Sequence, residues 1–197
     1  MVTRRENMVQ SIRSRSAGLT LVELVMAIAV LSILLTVAAP SFYSTLLSVK
    51  ASTTTDSLTS AIYFSRNTAV TRGEGVILCA LDANEQPAPK CDASASNWNR
   101  GWVVTDLDGN LLKYWKMSDS DREVSLSAGA TDHNASQARF NAYGESSLYT
   151  SANVLIATKY AFGVQVNSCD TAQLSIRREV EVSISGAVKV NSGLACL

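Results

Sequence analysis

The sequence predicts an α+β chain: one long N-terminal helix, apolar all round in its first half and packed in its second half on an antiparallel β-sheet or sandwich body. Three observations carry this. From Leu19 to Ala39 the residues are almost wholly apolar, with a single charge, Glu23. From Ser41 to Arg72 there is neither Gly nor Pro, and apolar or small residues recur at three- and four-residue steps. Beyond Gly73 the pattern changes to a period of two, broken by turn residues. One long helix followed by many short strands is the mark of segregated α and β elements.

Residues 1–18 are polar and basic, with Arg4, Arg5, Arg13 and Arg15 against Glu6, 4 − 1 = +3. They read as a leader outside the fold. The whole chain is formally neutral, so the remainder from Leu19 carries 0 − 3 = −3. A basic segment before an apolar one keeps that end cytoplasmic and sends the C-terminal body out. Residues 19–39, as a helix, span roughly 31 Å, about one bilayer core, and are expected to be a transmembrane helix. A carboxylate there costs a few kcal/mol, about 2.5–3.5, and so calls for a role and a partner. No Lys, Arg or His lies within the span to pair with Glu23. A cut after Gly18 would supply a cation one helical turn away, the α-amine of Leu19.

Residues 40–72 continue the helix. Pro40 lacks a backbone donor and is expected to kink or loosen it. Leu47, Ala51, Thr54, Leu58, Ala61 or Ile62, Ser65 and Ala69 form a mildly apolar stripe fit to lie on a sheet. The rest of the Ser/Thr content, poor helix material, reads as a solvated face. Gly73 is the expected C-cap.

The body occupies 73–197. Expected strands are 76–81, 101–106, 111–116, 122–128, 137–141, 160–166, 173–185 and 187–190, with Asp108-Gly109 and Gly186 as tight turns. Four cysteines in an exported domain read as two disulfides. Three connectivities are possible; Cys79–Cys91 and Cys169–Cys196 are favoured because each pair is closest in sequence.

These residues carry a family resemblance. Gly18 followed by LTLVE, then the apolar run and Pro40, closely resembles the class III signal of type IV prepilins and pseudopilins. The resemblance implies that a prepilin peptidase cuts after Gly18 and N-methylates Leu19, where Phe or Met is commoner. It places Glu23 at the fifth position after the cut and Pro40 where many pilins carry a proline. In the body, FSRNTAVTRGEGVILC (64–79) resembles the signature of FimT/FimU/GspH-like minor pilins and pseudopilins. WNRGWVV (98–104), with Trp98, Gly101 and Trp102, matches that family's paired-tryptophan segment. RFNAYG, FGVQVNSC and REVEVSISGAVKV resemble its later strands. The implied fold is the type IV pilin fold. The implied location is the bacterial inner membrane, single pass with a periplasmic body, and then a pilus or pseudopilus. The implied partners are prepilin peptidase, other major and minor pilins or pseudopilins, the inner-membrane assembly platform, and membrane lipid before assembly. The implied role is a minor type IV pilin that sits at or near the tip and primes assembly, supporting motility or DNA uptake. The alternatives are a minor pseudopilin of a type II secretion system and a DNA-binding pilin.

Some FimT-like pilins bind DNA through a Gly-Arg-x-Arg turn. The matching positions here are Gly186, Ala187, Val188 and Lys189, without either arginine. Arg177, Arg178 and Lys189 are the remaining candidates for a nucleic-acid contact, but the acidic balance of the body argues against DNA. No enzymatic constellation is present, and no cofactor or metal is expected. His133 and the turn acids Asp119 and Asp121 read as loop residues. Asp106, Asp108 and Asn110 lack the full spacing of a calcium loop. At least two of Trp98, Trp102 and Trp115 are expected in the core.

Overall fold

A computed structural model describes residues 20–82, 88–92, 98–117, 122–127, 135–150, 152–166 and 176–195. The leader 1–18, Leu19, Asp119, Asp121, His133 and the pair Cys169 and Cys196 lie outside the described residues. The chain divides into two compact units, 1–42 and 43–197.

Helix α1 runs over Leu21–Arg72 without interruption at Pro40. In the first unit every described side chain from Thr20 to Thr36 is exposed. Among the described residues no helix is long and apolar enough to cross a membrane. The span expected at 19–39 begins before them and ends where only the backbone is described.

In the second unit the helix buries the stripe read from the sequence: Leu47, Ala51, Thr54, Leu58, Ala61, Ile62, Ser65 and Ala69. The hydroxyls in it are satisfied within the helix. Thr54 Oγ1 donates to Lys50 O at 3.1 Å and Ser65 Oγ to Ala61 O at 2.8 Å. This local bonding lets poor helix formers sit against a core. Thr55 departs from the solvated-face expectation: it is buried too, donating to Ala51 O at 2.8 Å. The helix ends as expected at Gly73, whose φ of 67° only glycine adopts without strain, and Glu74 N–H donates back to Ala69 O at 3.3 Å.

Among the described residues ten strands follow: β1 Val76–Ala80, β2 Gly101–Asp106, β3 Leu111–Lys116, β4 Arg122–Ser127, β5 Ala135–Phe140, β6 Ser146–Thr150, β7 Leu155–Ala157, β8 Tyr160–Val166, β9 Arg177–Val182 and β10 Val188–Leu194. They form two antiparallel sheets, ordered β3-β2-β1-β5-β6-β7 and β10-β9-β8-β4. Strands β6 and β7 are additions to the sequence reading. β10 runs to Leu194 rather than stopping at 190, through an irregular register between Asn191 and Leu194. The expected strand at 173–185 is confined to β9 among the described residues.

One main core joins the helix stripe to the inner faces of both sheets. It includes Leu58, Ile62, Leu78, Val104, Phe140, Leu148, Phe162, Val180 and Val182. Trp98 and Trp102 are buried in it, as expected for two of the three tryptophans. Trp98 meets Phe162 edge-on at 5.0 Å between ring centroids, and half-buried Trp115 meets Phe64 at 5.8 Å. On the opposite side of β1 and β2, Ile77, Cys79, Leu81 and Val103 make a second cluster. There Cys79 is bonded to Cys91, so the disulfide pins the chain beyond Leu81 across the outer face of the sheet.

Candidate assembly surfaces

At the start of α1, Thr20 is the N-cap. Its Oγ1 accepts the Glu23 N–H at 3.2 Å and its carbonyl accepts the Leu24 N–H at 3.1 Å. The side-chain bond satisfies one orphan donor of the first turn, and the carbonyl takes the first bond of the helix. Glu23 sits in that first turn, where the helix dipole favours an anion. Thr20 did not figure in the sequence reading. The Thr-x-x-Glu spacing over 20–23 is the signal that points to it. Around and beyond Glu23 the surface is a sleeve of exposed apolar residues, among them Leu21, Val25, Ile28, Leu31 and Leu35. A helix apolar on all sides in this way needs lipid or other helices around it. Gly18 and Leu19 lie outside the described residues, and Pro40 is described in its backbone alone.

The three basic candidates of the body are not brought together. The register pairs Arg178 with Val164, Val180 with Phe162 and Val182 with Tyr160, so Arg178 shares the core-facing side of β9. Arg177 lies on the other side. Lys189 pairs with Glu181, and Asn191 with Glu179, on that same outer side. Asn191 Nδ2 donates to Glu181 Oε1 at 2.8 Å. Two cations thus share one face with two acids, and no aromatic side chain stands among the residues the register places there. A nucleic-acid groove needs uncompensated positive charge and stacking platforms. Gly186 is equally unsuited to presenting a reading loop. A Cβ there would lie 2.3 Å from Gly144 O and 2.7 Å from Arg66 Nε, so the turn is packed against its neighbours.

Arg66 is the residue of this region that the sequence reading missed. Its Nε donates to Gly144 O at 3.1 Å, across 78 residues of chain, and ties α1 to the β5–β6 turn. Ser146 N–H donates to Ile184 O at 2.8 Å and brings in the β9–β10 turn. Beneath them the Ser146 hydroxyl bonds the Tyr160 hydroxyl. Burial pushes the Tyr160 pKa above the usual phenol range, against a smaller opposing pull from Ser146.

The Asp106 carboxylate is engaged by its own turn. Oδ1 accepts the Asp108 and Asn110 N–H groups at 3.0 and 2.8 Å, and Oδ2 accepts Asn110 Nδ2 at 2.9 Å. Arg72 approaches Oδ2 at 4.0 Å. The Asn110 side-chain bond first, then the loop amides and Arg72, hold its carboxyl below the ordinary value of 3.8 against the cost of burial. Among the described residues no three His, Cys, Asp or Glu side chains gather to hold a metal.

Two family models match the chain. The one described as type II transport protein GspH matches residues 54–186, and the prokaryotic N-terminal methylation motif matches residues 13–39. No curated protein matches it. Among solved structures, the type IV minor pilin FimU of Pseudomonas aeruginosa strain PAO1 is 13% identical at a TM-score of 0.47, covering 73% of this chain and 90% of that one. The minor pseudopilin EpsH of the Vibrio cholerae type 2 secretion system is 9% identical at a TM-score of 0.44, covering 72% of this chain and 96% of that one.

Proposed function

The chain belongs to the type II transport protein GspH family, and from that premise we propose that it is a minor type IV pilin incorporated at or near the tip of a pilus, where it primes assembly. The observation that carries this reading is the joining, in one chain, of the N-methylation motif over 13–39 to the GspH body over 54–186. The motif implies cutting by prepilin peptidase after Gly18, methylation of Leu19, and assembly with other pilins or pseudopilins. The body remains in the periplasm while the apolar sleeve is held in the inner membrane. The assembly platform then transfers that sleeve from lipid into a bundle of like helices, so its burial is kept throughout. Glu23 sets the axial register, because a neighbour's Leu19 amine satisfies it at one offset. A charge of such a pair left alone costs about 3–5 kcal/mol, so other registers are populated less than a hundredth as often.

Glu23→Val tests this in a deletion strain. The expected result is normal membrane level and normal cleavage, because the variant helix is more apolar, with loss of filament incorporation. Normal incorporation would refute the register mechanism. A second reading, a minor pseudopilin of a type II secretion system, is favoured by the description of the matched family as a type II transport protein. Deleting the gene and scoring surface pili beside secreted protein separates the two: loss of pili supports the first, and loss of secretion with pili intact supports the second. A DNA-receptor role is disfavoured by the charge-balanced face that carries Arg177 and Lys189.

A further inference from the structure

Three turns of the body share one construction. They are Asp106-Leu107-Asp108-Gly109-Asn110, Asn141-Ala142-Tyr143-Gly144-Glu145 and Ser183-Ile184-Ser185-Gly186-Ala187. In each the glycine N–H donates to the carbonyl of the first residue, at 3.2, 2.9 and 2.8 Å. In each the first residue's N–H donates to the carbonyl of the fifth, at 3.1, 3.0 and 3.0 Å. Each glycine has positive φ, 85°, 78° and 69°. In the first two the opening side chain, Asp106 or Asn141, also accepts two loop amides. The opening residue and the glycine therefore fix the geometry, and the residues between them are free to be polar, as turn tips usually are. Yet each turn carries one large apolar side chain there, and each is exposed: Leu107 at 60%, Tyr143 at 85% and Ile184 at 54%.

The three tips converge. Val76, the first residue of β1, pairs with both Asp106 and Phe140, so the first two turns stand at the same end of the sheet. The third leans on the second through the Ser146–Ile184 hydrogen bond. Between the first two lies a half-open cavity of about 210 Å³, walled by Leu107, Arg139, Asn141, Glu145 and Tyr149 among others. Arg139 stacks on Tyr149 at 4.5 Å and bonds the Asn153 side-chain oxygen, but its Nε is buried without a hydrogen-bond partner, and among the described residues no carboxylate pairs with it. Glu145, the acid of the same cavity, accepts from Asn141 Nδ2 at 2.7 Å instead. Of the three tips Leu107 lines this cavity beside Arg139, and Tyr143 and Ile184 stand on the adjoining turns. Exposed apolar side chains at one end of the body, with a guanidinium in a cavity there, fit a protein surface that brings a carboxylate within an apolar rim.

We propose that this end of the body, formed by Leu107, Tyr143, Ile184 and the Arg139 cavity, is the docking surface for the globular domain of an adjacent pilin-class subunit. That subunit places an Asp or Glu side chain against Arg139. The proposal rests on the filament-subunit reading above, and it adds which surface of the body chooses the neighbour.

The test uses the full chain in its own host. A photo-crosslinking amino acid is placed at Leu107, Tyr143 or Ile184, with Asn191 on the outer side of β10 as the control position. The expected result is a crosslink from the three tips, and not from Asn191, to one pilin-class subunit identified by mass spectrometry. The triple variant Leu107→Asp, Tyr143→Asp, Ile184→Asp should be cleaved normally, keep the melting temperature of the body, and fall at least tenfold in filament incorporation. Arg139→Ala should lower incorporation, and Arg139→Lys should restore part of it. Crosslinks to lipid or to a protein outside the pilin class would overturn the proposal. So would normal incorporation of the triple variant. Processed wild-type chain absent from filaments of either kind would overturn the filament reading, and this surface with it. Wild-type chain in filaments with crosslinks from Asn191 alone would overturn the surface and leave that reading intact.

Discussion

Replacing Gly186 with alanine probes how the body is locked to its helix. Gly186 has φ 69°, and a built Cβ meets Gly144 O at 2.3 Å, Arg66 Nε at 2.7 Å and Arg66 Cδ at 2.8 Å. The left-handed backbone alone costs a non-glycine residue about 1–2 kcal/mol. The collision is with a backbone carbonyl, which cannot swing aside as a side chain does. Relief requires displacing the turn or breaking the Arg66–Gly144 bond, and a hydrogen bond from a charged donor contributes about 1.5–3 kcal/mol. Together the loss should be about 2.5–5 kcal/mol. Gly109→Ala is the matched control: φ there is 85°, but nothing lies within 4 Å of the new methyl. It should lose only the backbone part, about 1–2 kcal/mol. Urea unfolding of a truncated chain beginning near Ser44 measures both, with an unchanged m-value showing that the unfolded state is not the cause. Equal losses at Gly109 and Gly186 would refute the claim that Arg66 and Gly144 form a packed junction with the β9–β10 turn.

Breaking the Cys79–Cys91 bridge, which closes a 12-residue separation, by Cys79→Ser with Cys91→Ser should cost about 3 kcal/mol; equal denaturant midpoints would remove its structural role. The depressed pKa of Asp106 means that its stabilisation is fully present above the ordinary value of 3.8 and is lost as pH falls below it. Asp106→Asn should flatten that part of the stability–pH curve, and an unchanged acid limb would show that the loop bonds do not matter. The truncated chain should bind duplex DNA no better than the 10⁻⁴–10⁻⁶ M of non-specific contact. Submicromolar binding at physiological salt, abolished by Arg177→Ala or Lys189→Ala, would restore the DNA-receptor reading.

The second half of the helix was legible because one physical constraint, burial of a single face, recurs at each of Leu47, Ala51, Leu58, Ile62 and Ala69. Cys79 and Cys91 were legible from proximity, and β2, β3 and β8 from alternation bounded by turns. Strands β6 and β7 were not. Ser146–Thr150 is short and serine-rich, and Leu155–Ala157 has three residues, so neither shows a period that local pattern can separate from a loop. What holds β6 in the sheet is its pairing with β5, a tertiary fact. The Arg66 junction was hidden for the same reason: its partner Gly144 is 78 positions away, and an arginine on a helix ordinarily reads as solvated. Asp108-Gly109 and Gly186 could each be read as a turn. That they stand with Asn141–Gly144 at one end needs the register that sets Val76 opposite both Asp106 and Phe140.

Cutting after Gly18, and work as a filament subunit through the helix that the cut frees, can be checked on the mature protein itself. Mass spectrometry of the protein isolated from its host's filaments tests it most directly. The expected result is a chain beginning at N-methylated Leu19, and Gly18→Ala should leave the precursor uncut. A mature chain beginning beyond Ala39 would show instead that the apolar stretch is an ordinary export signal and that the chain is no pilin.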